Sequence, residues 1–104
     1  MQHFKLITCV MQERLANEII KILQDEKNIY TANKFRAKGT SIDQHLDIRQ
    51  MDVLTVVVEE ERADDIFAFI YTEAKIDRPH GGLIFQEALG RSTLYTLPTI
   101  KDSE

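Results

Sequence analysis

Apolar residues in this chain form strand-like runs followed by helix-spaced stripes, and the sequence does this twice. L-I-T-C-V-M-Q-E-R-L begins at Leu6, and L-T-V-V-V-E-E-E-R-A begins at Leu54. Each is an apolar run, then an acidic step, then Glu-Arg, so that Glu13-Arg14 corresponds to Glu61-Arg62. Behind the first run, Leu15, Ile19, Ile22 and Leu23 fall on one face of a helix. Behind the second, Ala63, Phe67, Ile70 and Ala74 do the same, and Ile66 and Phe69 widen the stripe. Glu59 to Glu61, Asp64 and Asp65 gather at the start of that helix, where negative charge complements the helix dipole. A charge run there needs no catalytic explanation.

Between the repeats, Ile29 to Lys38 predicts a mixed strand. Residues from about Gly39 to Gln50 are polar and rich in turn formers, which predicts an irregular loop. A final element is expected over Leu83 to Leu97, broken near Gly90-Arg91, with Thr93 to Thr96 as strand. Pro98 ends it and 99–104 is a polar tail. The order is βαββαβ, an α+β, ferredoxin-like antiparallel sheet with two helices on one face, in a single domain spanning 1–104. The strand M-D-V-L-T-V-V-V is apolar on both alternating sets. A strand apolar on both sides needs a second cover. The simplest cover is another copy of the same sheet, so a homo-oligomer is expected.

Composition narrows the class. Hydrophobic residues make up 43% and charged residues 29%, the balance of a soluble domain. No apolar run suits a membrane span, and the N-terminus lacks a secretory pattern. The single cysteine, Cys9, lies in an apolar run and suits a reducing cytoplasm. A formal net charge of -4 argues against non-specific nucleic-acid binding.

Two segments carry candidate chemistry. I-D-R-P-H-G-G-L-I-F, from Ile76, places Pro79 where a helix must stop. Gly81 and Gly82 then free the backbone, with Arg78 and His80 beside them. This is either a tight turn or an anion cradle. K-F-R-A-K-G-T-S, from Lys34, puts Lys34, Arg36 and Lys38 on one side of a strand. That row is either a soluble edge or an anion contact. His3, His45 and His80 share no metal-ligand spacing, and no enzyme signature is present.

The strand order, the basic strand leading into a loop, and P-H-G-G-L-I-F after the second helix resemble the PII-like signalling proteins, in which that segment is commonly G-D-G-K-I-F. The resemblance covers about Phe4 to Leu97. It implies a cytoplasmic homotrimer that binds a small anionic effector, usually an adenine nucleotide, between subunits. Such a regulatory protein acts in signal transduction by docking a loop on a transporter or enzyme. By position, Gly39, Thr40 and Ser41 would form the loop base, His80, Gly81, Gly82 and Leu83 the phosphate loop, and Thr31 would face the base. Leu83 stands where the family has a lysine, His80 replaces a glycine, and the later arginine pair has no match. The loop at 39–50 is also short and lacks the modifiable tyrosine. Arg36, Lys38, Arg78 or Arg91 would have to substitute. AMP, ADP, a cyclic nucleotide or bicarbonate is therefore at least as plausible as a triphosphate. Two alternatives stand beside this: a metal-responsive trimer resembling the CutA proteins, with His3, Cys9, His45 and His80 as ligands, and a protein-interaction module with no small ligand.

Overall fold

The computed structural model describes residues 3–40, 48–79 and 81–90, with backbone alone for 38–40 and 48–49. Six elements follow in order: β1 (Phe4–Gln12), α1 (Leu15–Lys27), β2 (Asn33–Thr40), β3 (Ile48–Glu59), α2 (Glu60–Glu73) and β4 (Gly82–Ala88). The strands lie side by side as β2-β3-β1-β4, every neighbouring pair antiparallel. This is the expected ferredoxin-like α+β architecture.

Alternation decides which face is dry. In β3, Asp52, Leu54, Val56 and Val58 are buried, whereas Met51, Val53, Thr55 and Val57 between them are half-buried. Ile7, Cys9 and Met11 continue the buried set across β1. Above them lie Ala16, Ile19 and Leu23 of α1 and Ala63, Ile66 and Ile70 of α2. Each fully buried Leu or Ile contributes roughly 1.5–3 kcal/mol. The opposite face carries Phe35, Leu83 and Phe85, all substantially exposed.

The helices are tied at one end. Asn28, in a left-handed conformation, ends α1, and Ile29 donates its N–H to the Leu23 carbonyl at 2.8 Å. Arg62 in α2 donates to the Lys27 carbonyl at 2.8 Å, and the Lys27 ammonium lies 5.0 Å from the Phe69 ring centre. The two Glu-Arg pairs of the sequence repeat are thus not equivalent. Arg62 sits inside its helix and holds the end of α1, whereas Arg14 (φ 83) precedes its helix and is exposed.

Three boundaries differ from the pattern. Strand β2 begins at Asn33 rather than Ile29, because Ile29 is drawn into the core as the first residue beyond α1. The strands flanking the loop are longer than apolar alternation indicates. Backbone pairing continues through Lys38↔Gln50, Gly39↔Arg49 and Thr40↔Ile48, which leaves 41–47 between them. Ladder hydrogen bonds do not require apolar side chains. Strand β4 ends at Ala88, and Leu89 then donates its N–H to the Phe4 carbonyl at 3.1 Å. The strand expected at Thr93 to Thr96 and the tail lie outside the described residues.

Cys9 is fully buried, and desolvation pushes its thiol from the ordinary 9.0 up to about 12. It should resist thiol reagents at pH 8 until urea unfolds the chain. Because the folded state holds the proton more tightly, this contribution to stability is complete below about pH 9. It is lost as pH rises toward 12. Urea denaturation at pH 8 and 10.5 should show a smaller alkaline decline in Cys9→Ala than in the wild type. An equal decline would assign it to other groups.

Candidate functional site

The turn from α2 to β4 is held by its own backbone. Lys75 takes a positive φ of 59° as the helix ends. Arg78 then donates its N–H to the Lys75 carbonyl at 3.2 Å, and Gly81 donates to the Arg78 carbonyl at 2.9 Å. A Cβ on Gly81 would collide with the Lys75 carbonyl oxygen. A Cβ on Gly82 would collide with the Val10 carbonyl oxygen, and Gly82 has φ +117°. Both glycines are therefore demanded by packing, whatever else they do. The Gly81 amide is engaged within the turn. Arg78 and Lys75 are exposed beside it, and Leu83 stands on the bare sheet face.

The basic strand is less open than its sequence implies. Lys34 pairs with Leu54 and Arg36 with Asp52, which puts both on the helix side of the sheet. Asp52 is completely buried. Its Oδ2 accepts the backbone N–H of Arg14 at 3.0 Å, holding the strained residue before α1. Its Oδ1 lies 3.5 Å from Arg36 Nε, an ionic contact without hydrogen-bond geometry. Arg36 Nη1 lies 3.4 Å from Glu13 Oε2. One guanidinium thus spans a buried carboxylate on β3 and an exposed one after β1. Of this network only Glu13 borders an open cavity of about 370 Å³, lined among the described residues by Gln12, Glu13, Gln50 and Met51.

Thr31 completes the edge of the sheet. The register Asn33↔Thr55 would next place Thr31 opposite Val57. There its hydroxyl donates to the Val57 carbonyl at 2.6 Å and accepts the Val57 N–H at 3.3 Å. A side chain thus extends the ladder where the backbone has left it.

Gly82, Met11, Asp52 and Arg36 form one transverse row by register. The glycine turn and the basic strand therefore share one end of the sheet. They are three strand spacings apart, roughly 14 Å. Within one chain the structure does not bring them into contact. Lys38, Gly39 and Thr40 lie on β2 near the cavity, as the pairing of Lys38 with Gln50 fixes. Ser41, His45, His80 and Arg91 lie outside the described residues. Among the described residues no three His, Cys, Asp or Glu groups converge. Asp52 and Glu13 were not among the candidates from sequence. The signal for Asp52 was present: a lone acid at the position that alternation aligns with Leu54, Val56 and Val58.

Gly82→Ala should destabilise the chain strongly with no ligand present, so loss of binding in that variant would say nothing about phosphate contact. Asp52→Ala should lower unfolding free energy by about 1–3 kcal/mol by orphaning the Arg14 N–H. Asp52→Asn keeps an acceptor oxygen and should lose less. Equal losses in urea titrations would move the role from the backbone bond to the charge.

No protein-family model matches the sequence, and no curated protein matches it. Solved structures do match. GlnK of B. subtilis in complex with ATP superposes with a TM-score of 0.71 at 12% identity, covering 84% of this chain and 82% of that one. A second structure of B. subtilis GlnK gives 0.69 at 13%, covering 85% and 86%. Arabidopsis thaliana PII bound to citrate gives 0.67 at 13%, covering 81% and 75%. The chain therefore has the fold of the PII signalling proteins.

Proposed function

We propose that this chain is a PII-type regulatory protein. It assembles as a homotrimer, binds a small anionic effector at its subunit seams, and regulates a transporter or enzyme through the segment around 39–50. The observation that carries this reading is the bare sheet face. Phe35 is 55% exposed, Leu83 51% and Phe85 44%, on the side no helix covers. Copies of the same chain would bury these residues. They would also carry the glycine turn of one subunit toward the basic strand of the next, which no single chain can do.

The likeness to GlnK and PII supports an anionic effector, since ATP and citrate, bound to those proteins, are both anions. For this chain we favour AMP, ADP or a cyclic nucleotide, with bicarbonate as the smaller alternative. Leu83 stands in place of the family lysine and the later arginines are missing, each a lost charge-assisted bond of about 1.5–3 kcal/mol. Arg36, Lys38, Arg78 and Arg91 are the cations the sequence offers to meet a shorter phosphate chain. We assign no catalytic role. A metal centre is disfavoured because Cys9, its only sulfur ligand, is sealed in the core. Among the described residues no helix is long and apolar enough to cross a membrane.

Calorimetry and thermal unfolding with AMP, ADP, ATP, cyclic AMP and bicarbonate test the reading. A true effector at one hundred times its Kd stabilises the folded state by about 2.7 kcal/mol. We expect a mono- or diphosphate to raise Tm more than ATP does. No heat and no shift with any of the five would overturn effector binding.

A further inference from the structure

Arg36 is held unequally by its two carboxylates. Asp52 is completely buried, and withdrawing the guanidinium would leave that carboxylate with only the Arg14 amide among the described residues. Glu13 is different: its side chain is 37% exposed, that of Arg36 is 48% exposed, and their contact is 3.4 Å. Both contacts, this one and the 3.5 Å one to Asp52, exceed the roughly 2.7–2.9 Å of a tight charge-assisted bond, so burial and not length separates the two partners. Exposed pairs of this kind hold weakly, because water solvates both partners well once they part. Asp52 therefore fixes where the guanidinium stands, and Glu13 merely occupies its outer side. Glu13 also lines the open cavity, together with Gln12, Gln50 and Met51.

We propose that Glu13 is an internal placeholder. Its carboxylate fills the anion position on Arg36, and a carboxylate or phosphoryl group entering beside the cavity displaces it while Asp52 keeps Arg36 in place. This rests on the anion-binding reading above and deepens it. Displacement frees Glu13 from β2. Because Glu13 sits between β1 and the left-handed Arg14 at the start of α1, effector arrival at the basic strand is felt at that turn. Glu13 is thus autoinhibitory and sets the effector concentration at which the protein responds.

The test is calorimetric titration of the full chain with ADP and with inorganic pyrophosphate, comparing wild type with Glu13→Gln. Glutamine keeps the size of the side chain and removes the competing charge. We expect Glu13→Gln to bind about fivefold more tightly. The gain should vanish when Arg36→Gln and Asp52→Asn are added together, which removes the cation and its buried partner at once. Circular dichroism confirms that each variant is folded. Binding by wild type that is equal to or tighter than binding by Glu13→Gln overturns the placeholder alone. A gain that survives loss of Arg36 overturns it as well. Silence from both proteins with both probes removes the placeholder and anion binding together. Binding by Glu13→Gln where the wild type is silent supports it.

Discussion

Two helices can dry only one side of a four-stranded sheet, and β3 is apolar on both. Leu54, Val56 and Val58 lie beneath α1 and α2, while Met51, Val53 and Val57 point the other way. The side chains flanking them on β2 and β4 are Phe35, Leu83 and Phe85. Surface hydrophobes scattered singly are ordinary, but a face lined by them across all four strands marks an interaction surface. The fold thus separates two duties. The helix side supplies the core of the chain, and the bare side is the one we propose is covered by assembly.

The end of the sheet near the β2–β3 connection is where the polar chemistry collects. A buried carboxylate in an apolar core is expensive unless its partners are fixed. Asp52 has a backbone amide from the β1–α1 turn and a guanidinium from β2. Three elements distant in sequence are therefore registered against one another by a single side chain. The glycine turn at the far side of the same end is shaped by contacts to Val10 and Lys75 backbone atoms. Its resemblance to a phosphate loop and its structural necessity are compatible, because a turn that packing has already formed costs little to present to a ligand.

Element order, the helix stripes and the two-sided β3 were legible in the sequence, since each depends on periodicity that survives into the fold. Boundaries were less so. Ile29 is apolar because it seals the end of α1, and Thr31 belongs to the sheet through its hydroxyl, neither of which alternation reveals. Lys38 to Thr40 pair through backbone, which leaves no apolar trace. For the site, the glycine pair was visible but its packing demand was not, because that depends on carbonyls of other elements. Lys34, Arg36 and Lys38 read as free cations. Only the register shows that Arg36 meets Asp52, and only the turn after β1 brings Glu13 to the same guanidinium.

The account stands on the bare sheet face being sealed by copies of the chain. Sedimentation equilibrium of the untagged chain at micromolar concentration measures this directly. It should give a single species of three times the 12.0 kDa chain mass, and replacing Phe85 by aspartate should shift it toward monomer. A stable, well-folded wild-type monomer at that concentration would contradict the account and dissolve the seams where the effector is placed.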